Sequence, residues 1–115
     1  MIGAAQAAQT PPPPPARVQV VAQEFRFSLS RLRVRAGLVV VELVNAGEDA
    51  HDLRLRRAGG GRVVSWPTLQ PGAHFDRELK LRPGRYSLWC SLPGHRALGM
   101  EAVLVVTRPK PSPRR

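Results

Sequence analysis

From Arg17 onward the chain is cut into short β-rich runs, each closed within a few residues by Gly, Pro, Asn or Asp. That punctuation leaves little room for long helices, because Gly and Pro disfavour helix interiors and seed turns instead. Ten Gly and twelve Pro supply the turns, and a 43% apolar share supplies enough bulk for one core. The spacing predicts strands over 17–22, 25–28, 31–35, 38–45, 51–56, 62–65, 74–81, 84–90 and 101–107, the rhythm of an all-β sandwich. In the run from Leu38 to Val44, Val39, Val41 and Leu43 share one face while Leu38 and Val40 lie opposite, as in a strand covered on both sides. Tyr86, Leu88 and Cys90 share one side of their strand, and Pro71-Gly72 and Pro83-Gly84 place turns around the run holding Phe75, Leu79 and Leu81.

At 115 residues the chain is limited to one domain, predicted over 17–107. That unit buries roughly 60–65% of its unfolded surface. Residues 1–16 are low-complexity. Ala5-Gln6-Ala7 resembles the end of an export signal, with a plain disordered start as the alternative, and Pro11–Pro15 forms a stiff linker about 15 Å long. An exported protein, in the periplasm or at the outer face of a membrane, is the expectation. Residues 108–115 read as a basic disordered tail, since alternating prolines deny it ladder hydrogen bonds.

Eighteen Lys and Arg against eight Asp and Glu give a formal charge of +10. Such a surface attracts anionic partners, either an acidic protein or an anionic membrane face. The positive residues are scattered over several strands and both tails, with no basic helix interleaved with stacking aromatics, which argues against nucleic acid. No run is long and apolar enough to span a bilayer as a helix. A single cysteine, Cys90, cannot close an internal disulfide, so its chemistry lies elsewhere.

The segment YSLWCSLPGHRALGM, residues 86–100, shows where: Cys90, His95 and Met100 follow one another as C-x4-H-x4-M across a Pro-Gly turn. Met100 is the sole methionine beyond the initiator, so its meeting with the sole cysteine in one short hairpin is informative. His51 lies far upstream in VNAGEDAHDLRL, after an Asn-Ala-Gly turn between two predicted strands. A thiolate and a thioether suit Cu(I), and imidazoles suit both Cu(I) and Cu(II), so His51, Cys90, His95 and Met100 are candidate ligands for one redox-cycling copper ion. His74 lacks such company and reads as a solvent-facing strand residue. Asp76, Arg77, Glu78 and Lys80 read as a solvated strand face.

With these motifs the chain resembles the cupredoxin family, which includes plastocyanin and azurin. The likeness runs over nearly all of 17–107, including the opening VQVVAQEFRFS and the Pro-Gly turn before RYSLWC. The resemblance implies a Greek-key β-sandwich in which His51, Cys90 and His95 form a trigonal plane and Met100 an axial contact. Both histidines then bind through Nδ1, and the far edge of His95 serves as the electron port. One departure stands out: several relatives place Asn after the first histidine ligand, and here Asp52 follows His51. Asp cannot supply an amide donor to pin the ligand loop, although its backbone N–H can reach the Cys90 sulfur. Loop rigidity and redox potential both hang on that change.

Four ligands fill a coordination sphere and leave no position for substrate, so a monomeric, non-enzymatic carrier of single electrons is expected. A dinuclear electron-entry centre needs a second cysteine, and a multicopper oxidase or nitrite reductase needs more than three histidines. The alternative is a copper carrier or buffer that hands over the ion, which an exposed Met-rich or His-rich tract would favour; none is present. An enzyme with Cys90 as nucleophile and His95 as base lacks a third, orienting group. The expected partner is an acidic redox protein that docks on an apolar rim of Leu92, Pro93, Ala97 and Leu98, with Arg96 beside it.

Overall fold

The structure, a computed structural model, describes residues 11–109. The export-like segment and the end of the basic tail lie outside these residues. Nine strands are present among them: β1 (Ala16–Gln23), β2 (Arg26–Leu29), β3 (Arg33–Arg35), β4 (Gly37–Asn45), β5 (His51–Arg57), β6 (Val64–Leu69), β7 (His74–Leu81), β8 (Gly84–Trp89) and β9 (Glu101–Thr107). They form a four-stranded sheet in the order β2-β1-β4-β7 and a five-stranded sheet in the order β3-β9-β8-β5-β6. β1 runs parallel to β4, and β3 runs parallel to β9. The remaining neighbours are antiparallel.

Alternation decides which side of each strand is buried. Val18, Val20 and Ala22 of β1 and Val39, Val41 and Leu43 of β4 meet Leu53, Leu55, Leu88, Leu104 and Val106 of the facing sheet in one core. Trp66 closes one edge, its indole N–H donating across the sandwich to the Val41 carbonyl at 3.2 Å. The Tyr86 hydroxyl donates to the Arg82 carbonyl at 2.8 Å and accepts from the Arg82 N–H at 3.1 Å, which fixes the corner leading into β8. The Pro14 carbonyl accepts from Arg35 Nη2 at 2.8 Å, so the proline segment touches the domain before β1 begins.

One strand is displaced from its expected place. The sequence predicts a strand over 62–65, and β6 instead spans Val64–Leu69. Gly59, Gly60 and Gly61 all take positive φ, which lengthens the turn after β5 and delays pairing. Pro67 then sits inside a strand because β6 lies at the sheet edge, where a missing N–H breaks no ladder. β8 ends at Trp89 rather than residue 90, so Cys90 opens the loop that follows.

Candidate metal centre

The residues singled out in the sequence lie at one end of the sandwich, delivered by three connections. The first is the turn after β4. Asn45 is fully buried, and its side-chain amide donates to the carbonyls of Asp49 and Leu69 at 2.8 and 2.9 Å. Its Oδ1 accepts from the Gly47 N–H at 2.8 Å. The turn so fixed places His51 at the first position of β5, with no exposed surface.

The second connection is the β1–β2 turn, which contributes Glu24. Glu24 Oε1 accepts from the backbone N–H groups of Glu48 and Asp49 at 2.7 and 2.6 Å and lies 3.1 Å from His51 Nε2. The Asp49 N–H, followed by His51 and the Glu48 N–H, holds this carboxyl down at about 2. Gly47 makes the approach possible, because a Cβ there would stand 2.5 Å from Glu24 Oε1. An ionised carboxylate only accepts, so His51 Nε2 is the donating nitrogen, and in the neutral ring Nδ1 is the one left with a lone pair. That Nδ1 is buried without a hydrogen-bond partner.

The third connection is the β8–β9 hairpin. The Cys90 N–H donates to the Met100 carbonyl at 3.2 Å, and the Met100 N–H donates to the His95 carbonyl at 3.2 Å. Between them the His95 N–H donates to the Leu92 carbonyl, and a 3-10 turn over Arg96–Leu98 ends at Gly99 with φ of 109°. This closed path packs Met100 into full burial beside Cys90, which is 1% exposed. His95 Nδ1 comes to 3.5 Å from Cys90 Sγ, and the His95 ring lies 5.2 Å from that of His51, with Phe25 edge-on at 4.9 Å. Donor atoms of His51, Cys90 and His95 all fall within 4.8 Å of one another.

Burial pushes the Cys90 thiol up, opposed by backbone hydrogen bonds from Asp52 and Leu92 to the sulfur. Asp52 pins the loop. Its Oδ1 accepts from the Ser91 N–H at 2.7 Å and its Oδ2 from the Ser91 hydroxyl. No amide donor is required, because Ser91 supplies both protons; the loop anchorage that the Asp52 departure put in question is met with reversed polarity.

Sequence reasoning assigned Glu24, Phe25 and Gly47 no role. A single glutamate in a strand-turn-strand run carries no spacing signal, and only the folded β1–β2 turn brings it to His51. His74 behaves as expected: it is exposed on β7, in the other sheet, with Nδ1 3.5 Å from Glu42 Oε2. Two imidazole rings, one thiol and a thioether sulfur gathered at one end of the sandwich form a soft donor set suited to a transition metal. The unpartnered His51 Nδ1 is the atom such an ion would satisfy.

No family model matches the chain, and no curated protein matches it. Solved structures do match. Auracyanin A from Chloroflexus aurantiacus, described as a blue copper protein, superposes with a TM-score of 0.67 at 18% identity, over 82% of this chain and 100% of that one. Reduced auracyanin from Roseiflexus castenholzii gives 0.67 at 18% identity, over 80% and 97%. Rusticyanin from Thiobacillus ferrooxidans gives 0.63 at 19% identity, over 79% and 77%. At these identities the likeness concerns the frame alone, and it agrees with the all-β sandwich expected from sequence: the chain has the cupredoxin fold.

Proposed function

We propose that this chain holds one copper ion through His51, Cys90, His95 and Met100 and carries single electrons between redox partners. The observation that carries the reading is the buried, unpartnered Nδ1 of His51 in a cluster whose His51, Cys90 and His95 donor atoms lie within 4.8 Å of one another. The blue copper described for the neighbouring auracyanin A supports the choice of metal. Copper bound to such a set takes up and releases one electron, and soft sulfur with imidazole suits both of its oxidation states.

The protein's own residues hold the donors still. Glu24 fixes the tautomer and orientation of His51, the Asp52–Ser91 pair anchors the Cys90 loop, and Met100 is fully buried where the hairpin closes. A donor set held by the frame moves little when its charge changes, which keeps reorganisation small. Burial of Cys90 keeps water and other thiols from the sulfur. His95 is the one ring of the set with partial exposure, so its edge is the exit to a partner. Pro93, Ala97 and Leu98 are exposed around it, Leu98 at 63%, and form the rim on which an acidic redox protein would dock beside Arg96. We place this monomeric carrier outside the cytoplasm, a location supported by the export-like Ala5-Gln6-Ala7. Among the described residues no helix is long and apolar enough to cross a membrane.

The test is addition of Cu(II) to the purified reduced protein, followed by the visible spectrum. An intense blue band in the native chain, absent in Cys90→Ser, is the expected result; a colourless native protein would sink the reading. Retention of the ion when an external chelator is added separates an electron carrier from a protein that hands copper over.

A further inference from the structure

The two faces of the sandwich differ in charge. Of the eight acidic residues, Glu42, Asp76 and Glu78 lie on the four-stranded sheet, and Glu24, Glu48, Asp49 and Asp52 lie around the candidate centre. Only Glu101 remains for the outer face of the five-stranded sheet. Strand register places Arg54 beside Trp89 and Glu101, Arg56 beside Ser87 and Val103, and Arg85 beside Val105 and Arg33 on that face. Among the described residues Arg33, Arg56 and Arg85 have no acidic partner, and all three are exposed.

This cationic face is neither flat nor purely charged. A groove of about 390 Å³ runs between the Ala58–Gly60 turn, Val63 and Trp89, with Arg56 and Arg96 at its sides. The Arg96 guanidinium carbon lies 4.7 Å over the Trp89 ring, and Arg96 directly follows His95. Val63 and Val103 add apolar surface at 44% and 41% exposure. An aromatic flanked by guanidinium groups in a concave site accepts a carboxylate side chain, because arginine forks bind carboxylates in two parallel hydrogen bonds.

We infer that the outer face of the five-stranded sheet, centred on Trp89, Arg56 and Arg85, is a docking surface for a glutamate- or aspartate-rich segment of a partner protein. The surface joins the rim of His95 through Arg96, so a partner held there lies alongside the electron exit. This deepens the electron-carrier reading and rests on it for the partner's purpose, while the docking itself depends on charge and shape alone.

The experiment titrates a synthetic deca-glutamate peptide into isotope-labelled, copper(I)-loaded protein and follows amide and indole resonances. Expected are shifts at the Trp89 indole N–H and at the amides of Arg56 and Arg85, fading between about 50 and 200 mM salt as charges are screened. Arg56→Glu with Arg85→Glu should weaken binding about tenfold or more, whereas Arg17→Glu with Lys80→Glu, an equal charge change on the other sheet, should leave most of it. Equal weakening by both pairs, shifts centred elsewhere, or tighter binding to phosphatidylserine vesicles than to the peptide would overturn the inference. The blue band of each variant, recorded on a separate Cu(II)-loaded sample because Cu(I) is colourless, reports the copper centre. Its absence in the native protein removes the electron-transfer reading whatever the peptide does, and its persistence in variants that bind the peptide unchanged removes only the docking surface.

Discussion

Glu24 shows how much one carboxylate can set. Facing the Nε2–H of His51, an ionised group makes the opposite nitrogen a better donor and favours the more highly charged oxidation state of a bound metal. Glu24→Gln is therefore expected to weaken copper binding about 10–100-fold. It should also raise the reduction potential, by about 59 mV for each tenfold difference between the two oxidation states. Copper titration and cyclic voltammetry of the variant check both. The same carboxyl is held at about 2, below its ordinary 4.5, so the folded state holds it ionised more strongly than the unfolded chain does. Its stabilising share is complete above about 4.5 and is lost as pH falls from there through about 2. In metal-free protein, urea unfolding of Glu24→Gln should depend less steeply on pH across that window than the native chain. Asp52 acts by a different route: at 1% exposure it accepts two hydrogen bonds from Ser91, and Asp52→Ala leaves those donors without their acceptor. A loss of about 1–3 kcal/mol is expected by denaturant unfolding, with a broadened visible band from a loosened loop.

At the scale of elements, the hairpin from β8 to β9 shows what a short loop needs. Gly94 and Gly99 take φ of 79° and 109°, a region that residues with a Cβ rarely adopt. The Gly99 conformation aims the Met100 N–H back at the His95 carbonyl and closes the path that buries the methionine. A Cβ at Gly99 would meet only the Phe25 carbonyl at an ordinary 3.6 Å, so Gly99→Ala isolates the backbone cost from crowding. About 1–3 kcal/mol of stability should be lost, read by urea unfolding of the metal-free protein. Spacing made this hairpin legible, since the lone cysteine, a histidine and the one methionine after Met1 in that order point to one shared metal ion. β4 was equally legible through its Val39, Val41 and Leu43 alternation. β6 was not, because Pro67 ends a strand by every local rule and only an edge position excuses it. Glu24 was silent for a related reason: its meaning arises from a contact across 27 residues of sequence, which no local pattern encodes.

For the molecule as a whole, the core and the candidate centre are two constructions that share Cys90 and Met100. Val18, Val20, Val39, Val41, Leu43, Leu53, Leu55, Leu88 and Leu104 are buried between the sheets without help from His51 or His95. Each such side chain contributes about 1.5–3 kcal/mol on burial, a gain that exists whether or not metal is present. The Glu24–His51 and Asp52–Ser91 contacts are likewise made by the chain alone. The metal-free protein is therefore expected to keep its β-sheet circular dichroism and to unfold cooperatively. Copper should then add stability only by binding the folded state, about 4 kcal/mol when the free ion stands a thousandfold above its dissociation constant. The increment should vanish in Cys90→Ser, whose metal-free form should itself lose about 1–3 kcal/mol because a hydroxyl replaces the buried thiol of a core residue. Calorimetry of both proteins with and without copper measures all four quantities. A metal-free chain with the far-ultraviolet spectrum of a coil would mean that the sandwich is assembled by its metal, contrary to a core that packs without it.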